Sequence, residues 1–161
     1  MSRLDDFIRR VSVQRACLEW AFGEIADLPG AVLEFGLGSG RSFDHLRQHL
    51  PGREIFVFDR EPSAPMAFSP EPAFLILGDF RDSVPAAVAR FAGRAALIHG
   101  DVGSYNHVKS RALAADLAPH WAMMLRPRGV LVSDTPVEHA SLAPLPLPGG
   151  ISGPYYLFRR R

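Results

Sequence analysis

The chain has 161 residues, 47% hydrophobic and 22% charged, a mix that argues for a folded protein and, at about 100–200 residues per domain, for a single domain spanning 1–161. Eighteen basic and 17 acidic residues leave a formal charge of +1, which argues against a surface built to coat nucleic acid or an acidic membrane. The one cysteine, Cys17, excludes an internal disulfide or a cysteine-rich metal centre. No run approaches the ~18 apolar residues of a membrane span, and the opening MSRLDDFIRR has charges where a secretory signal needs an apolar stretch. A reduced, cytoplasmic protein is expected.

Ser2 and Asp5 approximate a capping box that opens a helix. Its apolar stripe runs through Leu4, Phe7, Ile8 and Val11, then through Leu18, Ala21, Phe22 and Ile25. Arg15 interrupts the stripe, which predicts a break between Ser12 and Arg15, and Pro29-Gly30 is the predicted stop. This N-terminal segment, residues 1–28, has three possible places: against the core, over a cleft, or in a subunit contact. Arg15 and Trp20 are its candidates to face a cleft.

Short apolar runs, broken only by Glu34 in the first, follow at 31–35, 55–58, 74–77, 95–98 and 130–132, as strands read when both faces of a sheet are covered. Helical patterns lie between most of them. One covers 41–50, and another covers 83–91 with Ser83 as N-cap and Pro85 in the first turn. A longer one covers 105–125, where Pro119 is expected to kink or divide the helix. Strand alternating with helix predicts an α/β fold with a doubly wound, mostly parallel sheet. Residues 60–72 and 135–154 hold nine of the 14 prolines; they read as loops at the rim, the second leading to a final strand at 155–158.

The most informative stretch is Glu34-Phe35-Gly36-Leu37-Gly38-Ser39-Gly40-Arg41-Ser42. A buried strand enters a glycine-dense turn that opens a helix, where glycines allow unusual backbone angles and close approach of a ligand, and the helix N-terminus adds free N–H groups. A dinucleotide fingerprint would require a small residue where Arg41 stands. The spacing G-x-G-x-G, with Glu34 two residues ahead, instead resembles motif I of the class I S-adenosylmethionine-dependent methyltransferases. It is also similar to a narrower bacterial group of small methyltransferase-like proteins of about this length.

That resemblance spans roughly residues 31–134 and implies a Rossmann-like methyltransferase fold with S-adenosylmethionine as cofactor. Asp59 follows Gly40 by 19 residues and ends the second strand, where a carboxylate can accept from both ribose hydroxyls; a loop cap is its plainer reading. Gly78-Asp79-Phe80 resembles the family's adenine-binding step, with an N-cap as the alternative for Asp79. His99-Gly100-Asp101 ends the fourth strand, where the family lines its methyl-transfer pocket; His99 itself reads as a structural histidine. The implied cofactor residues are Glu34, Phe35, Gly36, Gly38, Gly40, Asp59, Arg60, Asp79, Phe80 and Asp101. The family carries a helix and a strand hairpin after its fifth strand. Here the 20 residues of 135–154 predict a reduced hairpin whose penultimate strand is short, irregular or absent.

Methyl transfer from a sulfonium needs alignment first, and a base only when the acceptor must lose a proton. Candidates on the acceptor side are Asp101, Tyr105, His107 and Asp134. Asp101 and Asp134 end neighbouring strands and offer oxygens that suit Mg²⁺, but the Asp-Asn pair of the catechol-type enzymes is missing, since Thr135 follows Asp134. No metal is expected. The expected acceptor is a small molecule and the expected assembly a homo-oligomer, with no nucleic acid or membrane as partner; Arg159-Arg160-Arg161 reads as a solvated strand end. The rival readings are an NAD(P)-dependent oxidoreductase and a protein that binds S-adenosylmethionine without catalysis.

Overall fold

The computed structural model describes residues 2–161. Its elements, in chain order, are α1 (Arg3–Glu24), β1 (Ala31–Phe35), α2 (Arg41–His49), β2 (Ile55–Asp59), β3 (Leu75–Leu77), α3 (Phe80–Phe91), β4 (Ala95–Gly100), α4 (His107–Met124), β5 (Leu125–Ser133), β6 (Leu142–Leu145) and β7 (Tyr156–Arg160). All seven strands form one sheet in the order β3-β2-β1-β4-β5-β7-β6. The first five are parallel, and β7 runs antiparallel between β5 and β6. Among the described residues no helix is long and apolar enough to cross a membrane.

The apolar strands do cover both faces. On one side Leu33, Phe35, Phe56, Phe58 and Ile98 pack with Trp121 of α4 and Phe91 of α3. On the other side Val32, Val57, Leu97 and Val130 pack with Cys17, Leu18 and Ala21 of α1 and Phe43 and Leu46 of α2. Successive strand residues point to opposite faces, so a continuous apolar run supplies both cores. Phe35 is central: it stacks on Phe58 at 4.5 Å and meets Trp121 edge-on at 5.4 Å.

Several boundaries differ from expectation, each for a physical reason. The helix α1 is unbroken through Ser12–Arg15 and ends at Glu24, before Pro29. Arg15 turns outward towards Glu19, one turn on, while Val13 and Cys17 carry the buried face past it. The first half of the expected stripe stays outside, with Leu4, Phe7 and Ile8 exposed, because the first turns of α1 project beyond the carboxyl edge of the sheet. The full Ser2–Asp5 capping box is present.

α3 starts four residues earlier than a Ser83 cap implies, since Asp79 is the N-cap. α4 passes Pro119 undivided. A proline inside a helix costs about 3 kcal/mol, and burying Leu117, Trp121 and Met124 offsets it at roughly 1.5–3 kcal/mol for each large side chain. β4 and β5 extend further than their apolar cores, taking in His99, Gly100 and Ser133, because hydrogen-bond ladders continue where hydropathy stops. Residues 60–72 contain no α-helix, only short 3-10 turns at Met66–Phe68 and, overlapping its end, Pro72–Phe74. The penultimate strand β6 exists and is four residues long; no helix precedes it.

Candidate functional site

The carboxyl ends of the parallel strands β1 to β5 lie along one edge of the sheet, with the turn between β1 and α2 at its middle, where ligands bind in an open α/β sheet. Gly36, Gly38 and Gly40 all have positive φ, at +91°, +51° and +81°. Their roles separate on what a side chain would meet. At Gly36 a Cβ would strike the carbonyl of Asp101, and at Gly40 the carbonyl of Phe68, whereas at Gly38 it would meet nothing within 4 Å. Gly36 and Gly40 let the chain pack on itself; Gly38 leaves room for something else.

Asp59 stands over this turn. Its Oδ2 accepts from Leu37 N at 2.7 Å and its Oδ1 from Glu61 N at 2.8 Å. Each carboxylate oxygen has a second lone pair, so Asp59 shapes the glycine turn and can still receive hydroxyls from a ligand. Asp79 caps α3 through Oδ1, accepting from Arg81 N at 3.0 Å, and its Oδ2 lies 3.9 Å from Arg60. The cap reading of Asp79 is therefore present, with one oxygen left for other partners. Phe80 stands edge-on to Phe35 at 6.2 Å.

Glu34 and Phe35 lie beneath the turn and are fully buried. Parallel pairing sets Glu34 beside His99, and its Oε2 receives His99 Nδ1 at 2.7 Å, while its other oxygen accepts from Ser42 Oγ of α2. Burial favours the neutral imidazole, but the charge and hydrogen bond of Glu34, with Asp101 and Asp134 behind it, outweigh burial and hold the His99 pKa above its ordinary value. Glu34 thus ties β1, β4 and the start of α2 together under the turn.

The roof comes from α1. Arg10 Nη2 donates to Asp101 Oδ1 at 2.5 Å and lies 3.9 Å from Asp134 Oδ2. Gln14 Nε2 donates to Asp101 Oδ2 at 3.2 Å and lies 3.4 Å from His99 Nε2. Asp134 in turn accepts from Gly103 N at 2.8 Å and from Thr135 Oγ1 at 2.9 Å. Tyr155 stacks on His99 at 6.2 Å. Its hydroxyl is buried without a hydrogen-bond partner among the described residues, and burial, then the charge of Asp101, push its pKa well above the usual phenol value.

Arg10, Gln14, Gly36, Gly38, Arg41, Ser42 and Asp101 enclose a cavity of about 260 Å³ with their neighbours. A larger cavity, about 830 Å³, lies at the opposite, amino-terminal edge of the strands beside Gly30, Glu54 and Arg94 and contains none of these groups.

Sequence reasoning missed Arg10, Gln14 and Tyr155. Arg10 lies one turn before Gln14 on α1 but 91 residues from Asp101 along the chain, and no local pattern announces that contact. Of the cleft-facing candidates, Arg15 is exposed beside Glu19 and lines a small pocket that adjoins the cleft, whereas Trp20 packs against the α1–α2 core. Tyr105 is 97% exposed and His107 is exposed at the first turn of α4; no hydrogen bond joins either to the cluster. The cation that Asp101 and Asp134 face is the Arg10 guanidinium.

A profile described as an S-adenosyl-L-methionine methyltransferase family matches residues 1–161. The chain belongs to this family. A crystal structure of the S-adenosyl-L-methionine methyl transferase from Silicibacter pomeroyi DSS-3 is 43% identical and superposes with a TM-score of 0.94 over 100% of this chain and 99% of that one. Two more distant structures share the fold. Human methyltransferase-like protein 13, solved with S-adenosylhomocysteine, has a TM-score of 0.60 at 16% identity over 93% of this chain and 81% of its own. The antibiotic-resistance methyltransferase Kmr has 0.57 at 14% identity over 91% and 92%. A search of curated proteins gives no match.

This methyltransferase therefore uses S-adenosylmethionine, and nothing supports the nicotinamide or non-catalytic readings. The residues present fit that cofactor: an open approach at Gly38, a carboxylate with spare lone pairs at Asp59 and the free N-terminus of α2 at Gly40. Asp59→Ala is expected to weaken S-adenosylmethionine binding in calorimetric titration by about 1.5–3 kcal/mol, the scale of hydrogen bonds to a charged group. Unchanged affinity would reduce Asp59 to a support for the turn.

Proposed function

We propose that this methyltransferase acts on a small molecule and that the Asp101–Asp134 pair takes the proton the acceptor gives up. The observation that carries this reading is Asp134. Its side chain is only 7% exposed, and its carboxyl is pushed up to about 6, first by burial and then by the charge and hydrogen bond of Asp101. Bound S-adenosylmethionine supplies a methyl group already activated on sulfur. The chain must align the acceptor and, for a hydroxyl or amine, provide a base, which works best when it titrates near the working pH.

Asp134 sits beside the cofactor-side carboxylate Asp101, held there by Gly103 N and Thr135. Arg10 bridges the two carboxylates and limits their repulsion. Arg10 and Gln14 of α1 roof the cleft beside Asp101, which supports a small acceptor over a macromolecular one. Self-association, for which exposed Leu4, Phe7 and Ile8 offer a surface, and residence in the cytoplasm, which the free thiol of Cys17 supports, complete the proposal.

With methyl-tritiated S-adenosylmethionine and filtered cell extract, label is expected in the small-molecule fraction, rising with pH through about 6 as Asp134 becomes a free base. Asp134→Asn should lower that transfer about 10²–10⁴-fold and remove the pH limb while cofactor affinity is retained. The raised carboxyl means that the folded chain binds this proton more tightly than the unfolded one. Stability from the group is thus lost as pH rises from 3.8 towards about 6, and the Asn variant should be no less stable than wild type at pH 7. Label in protein or nucleic acid would overturn the small-molecule reading, and an active Asn variant would remove Asp134 from proton transfer.

A further inference from the structure

Away from the cofactor cleft, Glu19 of α1 and His45 and His49 of α2 bring one potential ligand atom each within 4.8 Å of one another. His45 and His49 are four residues apart and share one helix face; their ring centroids are 4.1 Å apart. The His49 ring is oriented by a hydrogen bond from Nδ1 to the His45 carbonyl at 2.9 Å, which leaves its Nε2 as the free lone pair. The His45 Nε2 lies 3.6 Å from Glu19 Oε1, shielded from solvent and without a hydrogen-bond partner among the described residues. Buried polar atoms are nearly always satisfied, and this imidazole nitrogen faces a carboxylate across a gap that an ion would fill. Phe22 packs on both rings, at 5.7 and 5.4 Å, and restricts their rotation.

We propose that these three side chains bind a zinc(II) ion that clips α1 to α2. Two imidazole nitrogens and one carboxylate, with water as fourth ligand, make a donor set zinc accepts at about 2.0–2.2 Å. Hard ions such as Mg²⁺ and Ca²⁺ take oxygen ligands instead. Closing the site needs small side-chain shifts, and it releases Arg15, whose Nε lies 3.9 Å from the same Glu19 oxygen and whose side chain is largely exposed. The ion would touch neither cofactor nor acceptor. It would fasten the helix that carries Arg10 and Gln14 to the helix that begins at Gly40, so the cleft roof and the glycine turn move as one body.

The test is zinc chloride titrated into the full-length protein, freed of metal by chelation, in competition with a fluorescent zinc indicator. One equivalent is expected to bind with a Kd of about 10 µM or tighter, roughly 7 kcal/mol of binding free energy, and the thermal midpoint should rise with it. The double variant His45→Asn/His49→Asn should lose at least about tenfold in affinity, a difference of roughly 1.4 kcal/mol, with Glu19→Gln losing less. If the double variant is poorly folded by circular dichroism, the exposed His49→Asn alone decides. Cobalt(II) should give the visible absorption of a four-coordinate site in wild type and not in that variant. Failure of wild type to bind zinc in this range, or equal binding by the folded histidine variants, overturns the proposal.

Discussion

Glu34→Ala should destabilise the fold by about 3–5 kcal/mol, the usual cost of removing one partner from a buried ion pair, read as a lower urea midpoint with an unchanged slope. The substitution leaves His99 fully buried with no carboxylate hydrogen-bonded to it and strips Ser42 of its acceptor. The loss should also depend on pH. In wild type the His99 pKa is held above 6.5, so the folded state binds this proton more tightly than the unfolded state. The stability it contributes is complete below about 6.5 and fades as pH rises through the elevated pKa. The difference between wild type and variant should therefore be widest on the acid side of that transition and narrow above it. Equal urea midpoints for the two proteins would show that the pair contributes no net stability.

Gly38→Val should abolish S-adenosylmethionine binding while the helical circular dichroism survives. Valine is poorly suited to φ +51°, where a side chain costs about 1–2 kcal/mol, yet the protein offers no atom within 4 Å to obstruct its Cβ. The fold therefore absorbs only the backbone strain, and the occupied space is lost to the ligand. Affinity should fall at least about a hundredfold, or roughly 3 kcal/mol, measured by calorimetry. Substitution at Gly36 or Gly40 is different in kind, because there the new Cβ runs into the backbone of Asp101 or Phe68 and the fold itself suffers. Normal binding by the valine variant would mean that Gly38 does not face the cofactor.

Much of the architecture was legible because it rests on local chemistry. The first five strands announce themselves as short, largely apolar runs, since a strand covered on both faces has no polar side to show; β3, at the sheet edge with Leu77 exposed, reads the same way without that cover. The glycine turn was legible because positive φ at three positions in five residues demands glycine. The acids at strand ends were legible by position, and Asp59 and Asp79 lie where the spacing put them. Boundaries were less so: β4 and β5 run on into His99, Gly100 and Ser133, where a polar or small residue still continues the backbone ladder.

What the amino-acid sequence by itself determined was the alternating α/β plan, the glycine turn between β1 and α2, and the family that such a turn belongs to. Only the tertiary structure decided that Arg10 and Gln14 roof the cleft, that Glu34 is paired with His99, and that the first half of the α1 stripe remains in solvent. Periodicity and turn chemistry are properties of neighbouring residues and are written into any short window. A contact between residues 10 and 101 exists only because α1 packs across the face of the sheet that carries β4, and its energy depends on burial that no window of sequence contains.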